Sequence, residues 1–205
     1  MMTVEVLDAG ITADEASRAK RLKAATRETH QRLDQAIMAG EPFAGRERYG
    51  LFVAVQHAFH REIDALYDDA GLDRMLPDLQ GRRRLSQIEQ DLSDLGINVP
   101  AYDGQPAFAA GAAVDVATAL GWLYVAEGSN LGAAFLLKDA QKLGLSEEFG
   151  ARHLAGAPEG RGLHWRTFTA ALDAVELSPA EEARVIAGAE KAFGHVHAQV
   201  SRVFG

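Results

Sequence analysis

Apolar residues recur at helical spacing along almost the whole chain. Residues 13–39 place Leu22, Thr26, His30, Leu33 and Ile37 near one face, and Gly40 and Pro42 end the run. Residues 46–70 repeat the pattern with Phe52, Val55, Phe59, Ile63 and Leu66, stopped by Gly71. A more polar helix over 78–95 carries Leu85, Ile88, Leu92 and Leu95 and ends at Gly96. Asn98 to Ala110 holds Pro100, Gly104 and Pro106 and reads as loop. Residues 112–143 are helical again, interrupted by Gly128 and Gly132 and stopped by Gly144. A short helix is expected near 147–154, a loop over Gly156–Gly162, and a helix from Trp165 to Leu177 with Phe168, Leu172 and Val175 inward. Ser178, followed by Pro179, caps a last helix that runs to about Val203. No segment sustains two-residue alternation, so the pattern predicts an all-α, single-domain fold with essentially no sheet.

Composition narrows the function classes. The chain of 205 residues has no run of 18 apolar residues, so no membrane span is expected. Met1 to Ala13 carries Glu5 and Asp8 and lacks a basic start followed by an apolar stretch, so it does not read as a secretory signal. The absence of cysteine excludes disulfides, thiolate metal sites and cysteine nucleophiles, and suits a reducing compartment. A cytoplasmic location is the expectation. The net charge of -8 argues against nucleic acid as a partner. Arg18, Lys20, Arg21, Lys23, Arg27 and Arg32 nevertheless crowd one segment, either as a solvated face or as a surface for an anionic partner.

Seven histidines are the first candidates for chemistry. His57, His60 and Asp64 have a spacing that suits a metal on one helix face, although a solvated face is the commoner outcome. His153 and His164 fall in or near loops with nothing nearby in sequence to build a site. His195 and His197, two apart on one helix, cannot share a face. His30 lies on an apolar stripe, where a satisfied core histidine is the usual reading.

The segment Gly128-Ser129-Asn130-Leu131-Gly132 changes that balance. Each glycine inside a helix costs roughly 1 kcal/mol relative to alanine. Two glycines four apart strip the bulk from one stripe, so a flat group can approach the backbone. Close helix–helix packing is the plainer account of the spacing. Taken with His30, however, the strip predicts a sandwich: an imidazole on one helix, a bare and kinked backbone on another, and a planar macrocycle between them. Asp34, one turn after His30, would orient the ring through Nδ1–H. Lys23, two turns before His30, and Tyr124, one turn before Gly128, would hydrogen-bond carboxylates at the macrocycle's rim. Phe193 on the last helix would complete the pocket wall, a position core packing explains equally well.

The sequence resembles the bacterial haem oxygenases, most closely those used in iron acquisition. The resemblance is continuous from about Leu22 to the C-terminus. It is carried by Thr29-His30-Gln31-Arg32-Leu33, Glu41-Pro42-Phe43, Leu120–Leu137 (LGWLYVAEGSNLGAAFLL) and Phe149-Gly150-Ala151-Arg152-His153-Leu154. Residues 1–15 have no counterpart and are expected to form a disordered extension to a domain over 16–205. The resemblance implies that haem b is both cofactor and substrate, converted with O2 and electrons to biliverdin, carbon monoxide and ferrous iron. His30 matches the proximal iron ligand, Gly128 and Gly132 the distal glycines, and Asp34 the carboxylate after the ligand. Ser129 stands where mammalian members carry an aspartate that organises catalytic water, so proton delivery is expected to rely on water held by backbone groups and more remote side chains. Members with lysine and tyrosine at the positions of Lys23 and Tyr124 resemble those that cut at the α carbon, which implies biliverdin IXα. The electron donor would be a ferredoxin, a flavodoxin or a direct reductase. Monomer is the default.

Three rivals are weighed against this reading. A non-catalytic haem carrier or sensor would use the same His30 and glycines. A di-iron carboxylate bundle wants Glu-x-x-His pairs, which the chain lacks. A thiaminase-like helical enzyme needs a cysteine nucleophile, also lacking.

Overall fold

The computed structural model of the chain describes residues 17–205. The expected N-terminal extension, and the first residues of the helix expected from 13, lie outside the described residues.

The first helical stretch is two helices, α1 (Arg18–Ala25) and α2 (Arg27–Ala39), joined at Thr26. The Thr26 hydroxyl donates to the Leu22 carbonyl at 2.8 Å, while the Thr26 backbone turns out of helical geometry (φ -96°, ψ 4°). A threonine side chain that bonds back one turn competes with the helix's own ladder. Lys23 and His30 therefore sit on different helices, although the His30 amide still bonds the Thr26 carbonyl at 2.9 Å across the joint.

Helix α3 (Arg46–Ile63) buries Phe52, Val55, Phe59 and Ile63 as the periodicity requires. It passes into a 3-10 turn, Asp64–Asp68, rather than reaching Gly71. The Asp69 carboxylate accepts from the amides of Gly71 and Leu72 at 2.9 Å each and starts a short α4 (Ala70–Met75), so Gly71 opens a helix instead of closing one. After a 3-10 turn at Gln80–Arg82, α5 (Leu85–Asp94) buries Ile88 and Leu92, and Gly96 turns the chain at φ +71°.

The long central helix is α6 (Val116–Lys142), capped by Asp115. The short helix expected near 147–154 does not form beyond a 3-10 turn at Arg152–Leu154. The amides of Gly150, Arg152 and His153 are taken by the carboxylates of Asp94 and Asp91 at 2.8–3.0 Å, and Gly150 turns at φ +75°. Helix α7 (Arg161–Ala174) begins earlier than its apolar residues announce, straight after Gly160 at φ +89°. Helix α8 (Pro179–Phe204) carries the expected Ser178 cap, completed by Glu181 as a capping box. Among the described residues the only β pairing is a pair of isolated bridges at Ser146.

Helix α6 packs chiefly on α8, and α2 and α3 also rest on α8. The α6–α8 crossing is backbone against backbone. A Cβ on Gly121 would stand 2.2 Å from the Val185 carbonyl oxygen and 2.6 Å from the Ala189 nitrogen, and one on Gly188 would stand 2.5 Å from the Thr118 carbonyl oxygen. Around this contact Leu22, Phe59, Trp122, Phe168, Ala192 and Val196 form the main core, which extends to Leu33, Tyr124 and Phe193. Burial of this apolar surface is what drives the assembly. No helix among the described residues is long and apolar enough to cross a membrane.

Candidate haem site

His30 is not on the buried stripe. Its side chain is 58 % exposed, while Thr26 and Leu33 beside it are buried. It stands at the edge of the α2–α8 contact, edge-on to the Phe193 ring at 5.4 Å between centroids. An imidazole held at such an edge is reachable by a ligand, which a core histidine is not. Asp34 lies one turn on, with its carboxylate 3.5 Å from His30 Nδ1. That pairing favours the tautomer with the proton on Nδ1 and the lone pair of Nε2 outward. His30, Asp34 and Phe193 are thus brought together.

A second group gathers on α6. Gly132 is exposed, and a Cβ placed on it meets nothing within 4 Å. A Cβ on Gly128 meets only the Trp165 ring, at 3.6 Å. This contrasts with Gly121 one stretch earlier, where the backbone of α8 closes the space. Among the described residues nothing fills the space beside Gly132, and only the Trp165 ring borders that beside Gly128. Tyr124 is buried against Trp165, with ring centroids 5.7 Å apart, and burial raises its phenol pKa. The Ser129 hydroxyl donates to the Ala126 carbonyl at 2.7 Å, a back-bond of the kind that bends helices. Lys23 is exposed near the end of α1.

Beneath the strip lies a polar layer that the periodicity did not announce. Glu127 and Arg82 are both buried and paired at 3.0 Å. His164, far from isolated, has Nδ1 2.7 Å from Glu159 and Nε2 3.5 Å from Glu127. Its pKa is raised, first by the bond to Glu127, against the opposing effect of burial. His153 is buried with Nδ1 2.7 Å from Asp91. His57 and His60 are buried, not solvated, and Asp64 is engaged by Arg83, so the three do not form a metal cluster; none is found among the described residues. Burial, with Arg84, His153 and His57 nearby, pushes His60 down to about 3. Of this layer only Glu127 and Asn130 left a trace in the sequence: two polar residues inside the apolar run LGWLYVAEGSNLGAAFLL. A buried carboxylate demands a partner, but Arg82 lies 45 residues away in the chain.

The α6 backbone is thus open to a flat group beside Gly132, and α2 carries an accessible imidazole. The family model described as "Heme oxygenase" matches residues 16–202. Haem oxygenase PigA of Pseudomonas aeruginosa is 43% identical over 187 residues, covering 91% of this chain and 93% of that one. A haem oxygenase of Xanthomonas campestris pv. campestris is 36% identical over 121 residues, 58% of this chain and 67% of its own. The NO- and CO-bound haem oxygenase of Neisseria meningitidis superposes with a TM-score of 0.86 at 44% identity, covering 92% of each chain. The haem oxygenase of Leptospira interrogans, at 17% identity and a TM-score of 0.71, shares the fold. The chain belongs to the haem oxygenase family, oxidoreductases that bind haem and degrade it.

Proposed function

We propose that His30 is the axial iron ligand, that Gly128, Ser129 and Gly132 form the distal surface, and that Lys23 and Tyr124 receive the propionates of haem b. The observation that carries this reading is the contrast between glycines on one helix. Gly121 is closed by backbone, while Gly132 opens on unfilled space and Gly128 meets only an indole edge. The donor set fits the group: a neutral imidazole for iron, a bare strip for a flat ring, and an aromatic wall at Phe193.

Bound haem supplies both the iron that activates O2 and the macrocycle that is cut. The protein's own contributions are orientation and control of water. Asp34 holds the His30 ring and its tautomer. With haem seated on the strip, the α6 backbone at Gly128 and Gly132 would leave little room for anything but a small ligand. Ser129 spends its proton on Ala126 and offers no strong acid, so proton delivery falls to water held by backbone groups and more remote side chains. Lys23 and Tyr124 would hold the propionates, and this reading gives biliverdin IXα as the product, with carbon monoxide and ferrous iron.

The electron donor is a ferredoxin, a flavodoxin or a direct reductase, docking on exposed Lys23, Arg27 and Arg32. Arg18 is not part of that surface: it is buried, paired with Glu182 at 2.8 Å. We place the protein in the cytoplasm, as a monomer over residues 16–205, serving iron acquisition.

The test is reconstitution with hemin, then ascorbate or a reductase under air with catalase present. Loss of the Soret band with growth of biliverdin absorbance supports the assignment, and chromatography of the product tests the isomer. His30→Ala should abolish the axial-ligand spectrum. A Soret band that persists despite reduction and O2 binding would overturn the reading in favour of a carrier or sensor.

A further inference from the structure

Helix α7 hangs on α6 by ties on both sides of Gly128. On one side, Arg161 Nη1 donates to the Asn130 carbonyl at 2.9 Å. On the other, Glu127 accepts from Arg82 at 3.0 Å, and Arg82 donates through both Nη atoms to the His164 carbonyl at 3.3 Å. The His164 ring stands between Glu127 and Glu159. The next residue is Trp165, whose indole edge lies 3.6 Å from the Cβ position of Gly128. The indole stacks on Phe168 at 5.8 Å, and the Arg82 guanidinium lies over that same Phe168 ring at 5.6 Å.

A buried ion pair adds little net stability compared with apolar packing, and its best-attested use is to fix register. Apolar contacts are non-directional, so Phe168 and Tyr124 alone would let the indole slide along α6. Charge and hydrogen bonds do not allow this. The Glu127 carboxylate accepts from the Arg82 guanidinium and stands 3.5 Å from His164 Nε2, so both groups converge on it.

We infer that Glu127 is a positioning residue for haem degradation: through Arg82 and His164 it fixes where the Trp165 indole stands beside Gly128, and so sets the lateral seat of the macrocycle. The seat, though not the position of the indole, rests on the reading that the strip faces haem.

The test uses the full chain labelled with 5-fluorotryptophan, which gives two 19F signals, from Trp122 and Trp165, assigned with Trp165→Phe. In the haem-free protein Glu127→Gln shifts and broadens the Trp165 signal and leaves that of Trp122 in place. The His164 ring, which loses the carboxylate that raises its pKa, titrates at lower pH by NMR. In the loaded enzyme a second biliverdin isomer appears on chromatography. Glu182→Gln, which cuts the Arg18 pair at a distance, changes neither the Trp165 signal nor the product. If Glu127→Gln does not fold, His164→Gln carries the same test, with the Trp165 shift expected and the carboxylate kept. A Trp165 signal unmoved in these variants overturns the positioning role. A moved signal with a single unchanged isomer overturns the link to the macrocycle's seat. If the wild type fails to take hemin at all, the haem reading falls, while the 19F result still decides the clamp.

Discussion

A side chain added at Gly132 separates two uses of glycine in a helix. If Gly132 were a packing residue like Gly121, a methyl group would collide with a neighbour. It meets nothing within 4 Å, and the residue is exposed. Gly132→Ala in the haem-free protein therefore gains the helix-propensity difference, about 1 kcal/mol, with no clash to offset it. For a chain of this size that is a rise of roughly 2–4 °C in Tm. Haem responds in the opposite sense, because the added atoms occupy the approach to the backbone. Gly132→Phe should fill that approach and weaken hemin binding at least about tenfold, or roughly 1.4 kcal/mol. Circular-dichroism melts of the haem-free variants measure the first effect, and Soret titration with hemin measures the second. A fall in Tm for Gly132→Ala would mean the glycine is packed after all. Unchanged hemin affinity in Gly132→Phe would mean that the strip does not face the ligand.

Other expectations can be checked in the same laboratory. Gly121→Ala, overpacked against the α8 backbone, should lose about 1–3 kcal/mol in urea unfolding, and an unchanged midpoint would contradict the crossing described above. Lys23→Ala with Tyr124→Phe should convert a single biliverdin isomer to a mixture on chromatography; retention of one isomer would remove both residues from the seat. Arg27→Glu with Arg32→Glu should slow turnover with the physiological donor at low salt and matter less at high salt, whereas an equal rate at low salt would reject the docking surface. His60 is held to about 3 in the fold against an ordinary value near 6.5. Its contribution is present above that ordinary value and is lost as pH falls from about 6.5 toward 3, at up to about 1.4 kcal/mol per pH unit. Urea unfolding at several pH values should show a shallower acid loss in His60→Gln, and parallel slopes would refute the burial.

The helices were legible because each apolar stripe is long enough to be read without its partners, and Ser178-Pro179 announces a start by local chemistry alone. Three of the misplaced helix boundaries share one cause: side chains that capture backbone amides or carbonyls. Thr26 breaks one helix, Asp69 starts another at Gly71, and Asp91 with Asp94 hold 150–153 out of helix. The candidate site was partly legible. Type and spacing single out His30, Asp34 and the glycines as candidates, but spacing does not tell what a Cβ would meet, and so does not separate Gly121 from Gly132. Of the histidines dismissed as isolated, His153 finds Asp91 and His164 finds Glu127 on elements brought close by folding, although Glu159, the nearer partner of His164, lies only five residues before it.

Helix α8 meets the α6 backbone at Gly188 and, five residues later, presents Phe193 to His30. Five residues span about 7.5 Å of helix. Helix α8 thus acts as the common jaw of a caliper, with α6 clamped to it and His30, the proposed ligand, resting on it. Since the clamp is main chain on main chain, its setting does not depend on which side chains line the gap. The lining can drift through many substitutions while the gauge of the slot stays the same, provided that residues 121 and 188 remain glycine.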